Sequence, residues 1–424
     1  MGTWGHGTAP ERPLDLAPER FSRTGRPAYA IIDIGSNSVR LVVYDEIGRA
    51  PFPRFNEKAL CQLGDGFART GALTPDGVAR TLAALRRFRA IADAMAVERI
   101  DTLATEAVRQ ASNGPELVAQ IARQTGLSAR ILSGEEEAYF GALGVVSGFY
   151  RPTGLVGDMG GGSLEMADVF DDRVGSHRIS LPLGALPVRR LLEADADTAK
   201  ARIDTLLRDG APPGLTSPTF FAVGGGWRAF ARVHLAATRA PVQVVHGYTV
   251  PAGEARAFAK SVLRLSPAKI AALPGLPRRR AGSLPAAALV LDRVVKRLQP
   301  ERVVFSMLGV REGWLYSQLS PAERYLDPFG RGRTILRSAL CPRTGLRGRA
   351  DAVDGWAVRE RNRRRTAVTR RCLRPLRLCL ARRSRTAGDG KFSTLAAVSA
   401  DRAGPHRARV SRRHHSRSLW RRCG

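Results

Sequence analysis

Two short stretches of this chain share one plan, and its repetition constrains the architecture more than any other feature. The first is Ala30-Ile31-Ile32-Asp33-Ile34-Gly35-Ser36-Asn37-Ser38-Val39-Arg40-Leu41: an apolar run, an Asp-x-Gly-x-x-Ser turn and a second apolar run. The second is Leu155-Val156-Gly157-Asp158-Met159-Gly160-Gly161-Gly162-Ser163-Leu164-Glu165, continuing as an alternating run to Phe170. Each reads as strand, tight turn, strand. The aspartate, glycine and serine of the second copy follow those of the first by 125 positions (158 minus 33, 160 minus 35, 163 minus 38). A lone glycine-rich hairpin is common and usually binds nothing. Two copies a domain-length apart predict a duplicated α/β unit with one such loop in each half. Glycines let backbone N–H groups approach and point at an anion, where a Cβ would stand in the way. The aspartate at the mouth of the turn is placed to hold a divalent cation beside that anion. The pattern predicts a phosphate cradle with a metal ligand attached.

The remaining periodicity supports the duplication. Strands are expected at Ala28–Ile34, Val39–Asp45 and about Pro51–Lys58. Thr74-Pro75 then offers an N-cap and first helical position, followed by Val78, Leu82, Leu85, Phe88 and Ala92 at helical spacing. Ile100–Thr105 reads as a strand, Gly114–Gln124 as a helix closed by Gly126, Leu127–Leu132 as a strand and Gly134–Val146 as a helix. Three strands followed by alternating helix and strand is the order of a ribonuclease-H-like half. The second half opens with strands at Leu155–Met159 and Leu164–Phe170. Later come strands at Thr219–Val223 and Val303–Met307 and helices at Pro251–Leu265 and Leu284–Arg297. The expected division is a leader over 1–27, a first lobe over 28–145, a second over 146–328 and a tail over 329–424.

The formal charge of +30 invites a nucleic-acid-binding reading, but its distribution does not support one. Residues 1–330 hold 41 Lys+Arg against 33 Asp+Glu, a net of +8; the other 94 hold 27 against 5, a net of +22. A nearly balanced core without aromatic interleaving predicts no specific nucleic-acid partner. Four of the five cysteines (Cys341, Cys372, Cys379 and Cys423) also fall in the tail. There Arg361, Arg363, Arg364, Arg365, Arg370 and Arg371 crowd together with no helical or strand period. The tail reads as a basic disordered extension or, better, as a gene read out of frame from about Phe329-Gly330. No run of about 18 apolar residues predicts a membrane helix, and residues 1–27 lack the apolar core of a signal peptide. The expected location is the cytoplasm.

Two further clusters carry chemistry. Ser133-Gly134-Glu135-Glu136-Glu137-Ala138 stands where a strand ends and a helix begins. Acidic residues there favour the helix dipole, yet a carboxylate at a strand's C-terminal edge is also where a general base for water would sit. The residues alone leave the three glutamates open. In Ala104-Thr105-Glu106-Ala107-Val108-Arg109, the arginine lies just past a strand end, where a guanidinium can clamp phosphoryl oxygens. Backbone cradles, an arginine, a metal and a carboxylate describe phosphoryl transfer, which works by positioning and charge neutralisation. His177, His234 and His246 are scattered and read as structural or surface residues.

These stretches, in this order and spacing, resemble the exopolyphosphatase/guanosine pentaphosphate phosphatase family of the actin-like ATPase superfamily. Gly224-Gly225-Gly226 and Gly309-Val310-Arg311-Glu312-Gly313 match its later signatures, so the resemblance spans about residues 28–325. It implies two ribonuclease-H-like lobes around a phosphate-binding cleft. It makes Glu137 the catalytic base, Arg109 a phosphate contact, and Asp158 and Glu165 the carboxylates that hold Mg²⁺ or orient water. Gly35, Ser36, Asn37 and Ser38 form the first phosphate loop, and Gly160, Gly161, Gly162 and Ser163 the second. Asp33 lies near the metal in the wider superfamily. The implied substrate is inorganic polyphosphate, with guanosine pentaphosphate as the alternative; a homodimer is one assembly it allows.

Overall fold

The repeated loop plan reappears as repeated topology. The computed structural model describes residues 28–210 and 217–326. The expected leader, and the basic tail from 329 onward, lie outside the described residues.

The first sheet comprises β1 (Ala28–Ile34), β2 (Ser38–Tyr44), β3 (Pro53–Leu60), β4 (Val97–Ala104) and β5 (Ala129–Ile131), in the order β3-β2-β1-β4-β5. The second comprises β6 (Gly154–Met159), β7 (Leu164–Phe170), β8 (Arg173–Leu181), β9 (Thr219–Val223), β10 (Tyr248–Pro251) and β11 (Arg302–Phe305), in the order β10-β11-β9-β6-β7-β8. In both, the first three strands pair antiparallel and the next two run parallel to the opening strand. The short antiparallel β10 is an addition at the second sheet's edge. The turns match in detail. Gly35 N–H donates to Ser38 carbonyl at 3.1 Å, and Gly160 N–H donates to Ser163 carbonyl at 2.9 Å.

Six of the seven residues of β1 are buried, because both faces of this central strand are covered. Ala30, Ile32 and Ile34 pack with Leu82, Leu85, Phe88, Leu117 and Ile121 from the helices Pro75–Ala94 and Gly114–Thr125. Tyr29 and Ile31 face the opposite way, into a core shared by the two sheets. That core is filled by the helices Gly134–Gly148 and Val310–Ser317, with Val156, Phe221 and Val304 contributed by the second sheet. The other face of the second sheet is covered by helices that supply Trp227, Phe230, Leu289 and Leu291.

The two central helices cross at glycines. A Cβ on Gly144 would come within 2.7 Å of Gly309 Cα, and one on Gly313 would collide with the Phe140 carbonyl. Gly313→Ala is therefore expected to destabilise the protein by about 1–3 kcal/mol through overpacking, measured as a fall in the denaturation midpoint at unchanged slope.

The structure adds elements that the sequence pattern does not show, among them the helices Ala185–Ala194 and Ala196–Gly210. The strand β8 escaped the sequence reading because only Leu181 of its nine residues is buried, so Arg173 to Ser180 show no apolar alternation. The helix Gly225–Ala237 starts inside the triple glycine, whose low helix propensity hid it. The helix after β5 runs to Gly148 rather than Val146.

Candidate active site

The two loops face each other. A Cβ on Gly161 would lie 3.0 Å from Ser36 Cβ, and one on Gly162 would fall on the Glu106 carboxylate. Glu106 in turn accepts from Ser36 Oγ at 2.9 Å. Both loops have their carbonyls tied back. Gly64 N–H donates to Ser36 carbonyl at 2.7 Å, and the N–H groups of Cys61 and Gln62 donate to Asn37 carbonyl. In the second loop Ala185, Leu186 and Gly184 donate to the carbonyls of Gly160, Gly161 and Gly162 at 3.2, 2.8 and 3.1 Å. No backbone carbonyl among the described residues accepts from the amides of Ser36, Asn37, Gly161 or Gly162. Free amides beside tied carbonyls make an anion-binding concavity.

Between the loops lies a cleft of about 390 Å³, lined by Asp33, Gly35, Ser36, Asn37, Ser38, Glu137, Asp158, Gly160, Gly161, Gly162, Ser163 and Glu165. The three adjacent glutamates separate here. Glu135 is exposed. Glu136 closes a capping box with Ser133, receiving its N–H at 2.8 Å, and pairs with Arg130. Glu137, one position further round the helix, is buried at the cleft wall. Burial pushes its carboxyl up to about 7 despite the opposing Arg109, with Asp33 and Asp158 adding to the rise. Arg109 does not line the cleft. It stands behind Glu137, donating to that carboxylate and to the Leu132 carbonyl at 2.6 Å.

The duplication places unlike charges at equivalent points. Across β1 and β2, Asp33 sits opposite Arg40; across β6 and β7, Asp158 sits opposite Glu165. Glu165 follows Arg40 by the same 125 positions (165 minus 40). Directly opposed residues share a sheet face, so the second lobe's wall is acidic where the first lobe's is basic. Burial pushes Asp158 up to about 6, offset in part by Arg228 and reinforced by Asp33. Glu165 is held well above the usual carboxylate range by burial and by Glu137, although Ser163 and Ser180 hydrogen-bond to it. Ser180 Oγ donates to Glu165 Oε1 at 2.8 Å. Burial raises Asp33 as well, against Arg311 and Arg40.

Arg40, Lys58, Arg189, Arg228, Arg279, Arg280 and Arg311 also line the cleft, with Glu106 and Glu312 among them. Burial, then the neighbouring arginines Arg280 and Arg40, push Lys58 down to about 8. Burial and Arg311 lower Arg40 to about 10. Burial and the repulsion between neighbouring cations disfavour the charged forms of Lys58 and Arg40, and a bound polyanion would offset both. Arg311 reaches 3.9 Å from Asp33, and its buried Nε has no hydrogen-bond partner among the described residues. Arg228 is placed by the turn at Gly224, whose φ of 109° a side chain would strain, and where a Cβ would lie 3.1 Å from Asp158 Oδ1.

The sequence reading gave no role to Glu106, Arg40, Lys58, Arg228, Arg280 or Arg311. Glu106, Arg40 and Arg311 lie inside quoted motifs, and their charge beside a phosphate loop was a usable signal. Nothing local marks Lys58, Arg228 or Arg280, which reach the cleft only through folding. The histidines lie elsewhere: His234 is buried with Nδ1 2.7 Å from Tyr248 Oη, and His246 sits 3.2 Å from the Gly148 carbonyl.

Among the described residues no three His, Cys, Asp or Glu groups close around one point as a preformed metal cage. Magnesium does not need one: it keeps several waters and is bound by one or two carboxylates together with substrate phosphates. Glu137 and Glu165 are buried and Asp33 and Asp158 half-buried, and all four have raised protonation; they are the donor set that such a cation would stabilise, so the residues present fit it.

Two ribonuclease-H-like lobes of actin-like architecture, with paired loops of free amides and acids of raised protonation between them, have the make-up of a phosphoryl-handling protein. The chain belongs to the Ppx/GppA phosphatase family, whose model matches residues 42–322. Exopolyphosphatase 1 of Mycobacterium tuberculosis (strain H37Rv) is 28% identical over 323 residues, covering 73% of this chain and 91% of that protein. Exopolyphosphatase 2 of the same organism is 27% identical over 304 residues, covering 67% and 94%. Among solved structures, the Aquifex aeolicus Ppx/GppA family member is 25% identical with a TM-score of 0.59, covering 69% of this chain and 97% of that one. An exopolyphosphatase from Cytophaga hutchinsonii, 21% identical with a TM-score of 0.61, shares the fold. Among the described residues no helix is long and apolar enough to cross a membrane.

Proposed function

We propose that this phosphatase hydrolyses the terminal phosphoanhydride of inorganic polyphosphate. The observation that carries the reading is the make-up of one cleft: the buried Glu137 and two loops with free amides line it together with Arg40, Lys58, Arg228, Arg280 and Arg311. Glu137 takes a proton from water, whose oxygen forms the new bond to the terminal phosphorus. The bond from phosphorus to the bridging oxygen breaks, and its electron pair stays on the shortened chain. Arg109 holds the Glu137 carboxylate in place from behind, an orienting role in place of the direct phosphate contact that the family resemblance implies. The loop amides of Ser36, Asn37, Gly161 and Gly162 receive the phosphoryl oxygens of the reacting group. Mg²⁺ held by Asp158, with Glu165 beside it, would supply charge neutralisation. Arg40, Lys58, Arg228 and Arg280 receive the rest of the chain, which therefore enters by its end.

The same lining argues against guanosine pentaphosphate as the preferred substrate. None of the described residues around the cleft is aromatic, so nothing there offers a guanine ring a face to stack on. Phosphate release from long polyphosphate and from guanosine pentaphosphate, each with and without Mg²⁺, tests this. Faster release from polyphosphate, dependent on Mg²⁺, is expected; faster release from the nucleotide would overturn the substrate assignment. Lys58→Ala is expected to raise KM for polyphosphate roughly tenfold at little change in kcat, the mark of a contact made equally in ground and transition states.

A further inference from the structure

Asp101 is a largely buried carboxylate that the hydrolysis does not use. It lies on β4 opposite Ile31 of β1, two positions back from the pair formed by Asp33 and Leu103. Three side chains converge on it. Tyr29 Oη donates to its Oδ2, Trp314 Nε1 donates to the same oxygen at 2.6 Å, and Arg99 donates to both oxygens at 3.1 and 3.0 Å. Trp314 Nε1 also lies 3.1 Å from Tyr29 Oη, and Arg99 stacks over the Tyr29 ring at 5.5 Å.

These contacts span the boundary between the lobes. Tyr29 and Asp101 belong to the first sheet, whereas Trp314 belongs to the helix Val310–Ser317 that follows the second sheet's β11. Trp314 is three positions after Arg311, so the two share a helix face. Its ring meets Phe140 at 4.9 Å between centroids, and Phe140 is likewise three positions after Glu137. One tryptophan thus ties the helix carrying Glu137 to the helix carrying Arg311, and Asp101 ties that tryptophan to the sheet carrying Asp33.

We propose that Asp101 is a positioning residue for the hydrolysis. Through Trp314 and Phe140 it sets how far along and around their axes the two central helices sit against the first sheet. This places Glu137 and Arg311 relative to the phosphate loops. The proposal rests on Glu137 being the base. A carboxylate suits the task because one oxygen pair accepts from three donors of fixed direction, while an apolar contact would leave the helices free to slide. Displacements of about 1 Å at a reacting centre cost up to about 10²-fold in rate.

The test uses the full chain with Trp314→Phe, Tyr29→Phe and Asp101→Asn. Tyr29→Phe keeps the ring and loses only a donor, and Trp314→Phe keeps an aromatic ring while losing the Nε1 donor and part of the indole, so both remain informative if Asp101→Asn fails to fold. Trp314→Phe and Asp101→Asn are expected to lower kcat on polyphosphate about tenfold, with KM within about twofold because Arg40, Lys58, Arg228 and Arg280, which receive the chain, are untouched. Tyr29→Phe is expected to fall between them and the native enzyme. A lowered thermal midpoint with native kcat in the folded variants would mean the network only stabilises the fold, and would overturn the proposal. Glu137→Gln, assayed alongside, separates the two readings. An inactive Glu137→Gln beside fully active network variants sinks only the positioning role, whereas an active Glu137→Gln sinks the assignment of the base.

Discussion

Glu137→Gln is expected to fold as the native chain does and to lose hydrolysis by a factor on the order of 10²–10⁴, the usual contribution of a general base. The change preserves shape and removes the basic oxygen. It also removes a buried acid whose proton is held up to about 7, so no stability should be lost with it. Glu135→Gln should be silent, since that side chain is exposed at the helix surface. Glu136→Gln should keep most activity, because its work is at the capping box and beside Arg130. Equal losses at all three positions, in steady-state assays with matched thermal midpoints, would refute the base. The pH profile supplies a second check. A carboxyl raised to about 7 is protonated, and unable to accept a proton, below that value. The rate constant kcat/KM should therefore rise with pH through about 7 and level off above it, and this acid limb should vanish in Glu137→Gln.

Asp158→Asn is expected to raise the Mg²⁺ concentration for half-maximal activity at least tenfold, or to abolish turnover, since the amide keeps the shape and loses the charge that draws a cation. A stability effect of opposite sign should accompany it. Burial pushes the Asp158 carboxyl from its ordinary value of 3.8 up to about 6. A group bound more tightly to its proton when folded stabilises the fold only while protonated, so its contribution is lost as pH rises through about 6. At neutral pH without metal, the ionised aspartate beside Asp33 opposes folding, and Asp158→Asn should raise the thermal midpoint. Activity unchanged at every Mg²⁺ concentration would remove Asp158 from the metal site.

Much of this architecture is legible in local sequence because local physics sets it. Asp33 to Ser38 and Asp158 to Ser163 announce hairpins by glycine and serine at fixed offsets, and their equal spacing announces the duplication. Thr74-Pro75 and Ser133 through Glu136 announce helix starts, because capping depends on residues three positions apart. The strand β8 gave no such sign, since an outer strand with one buried residue has little apolar period to read.

Local sequence alone reveals the two glycine-serine hairpins, the acidic helix start and the family they resemble. The residues themselves leave open which of three adjacent glutamates meets the cleft, and only the family resemblance singles out Glu137; in the structure it is decided by how the helix Gly134–Gly148 is rotated against its neighbours. Packing decided that Arg109 backs Glu137 instead of lining the cleft. Tertiary structure also brought Lys58, Arg228 and Arg280 from a strand, a helix and a 3₁₀ turn far apart in the chain to one cleft. Hydrogen bonds and caps act over a few residues and so leave a pattern in the sequence. Electrostatic crowding acts through space, between groups whose separation only the packed chain defines.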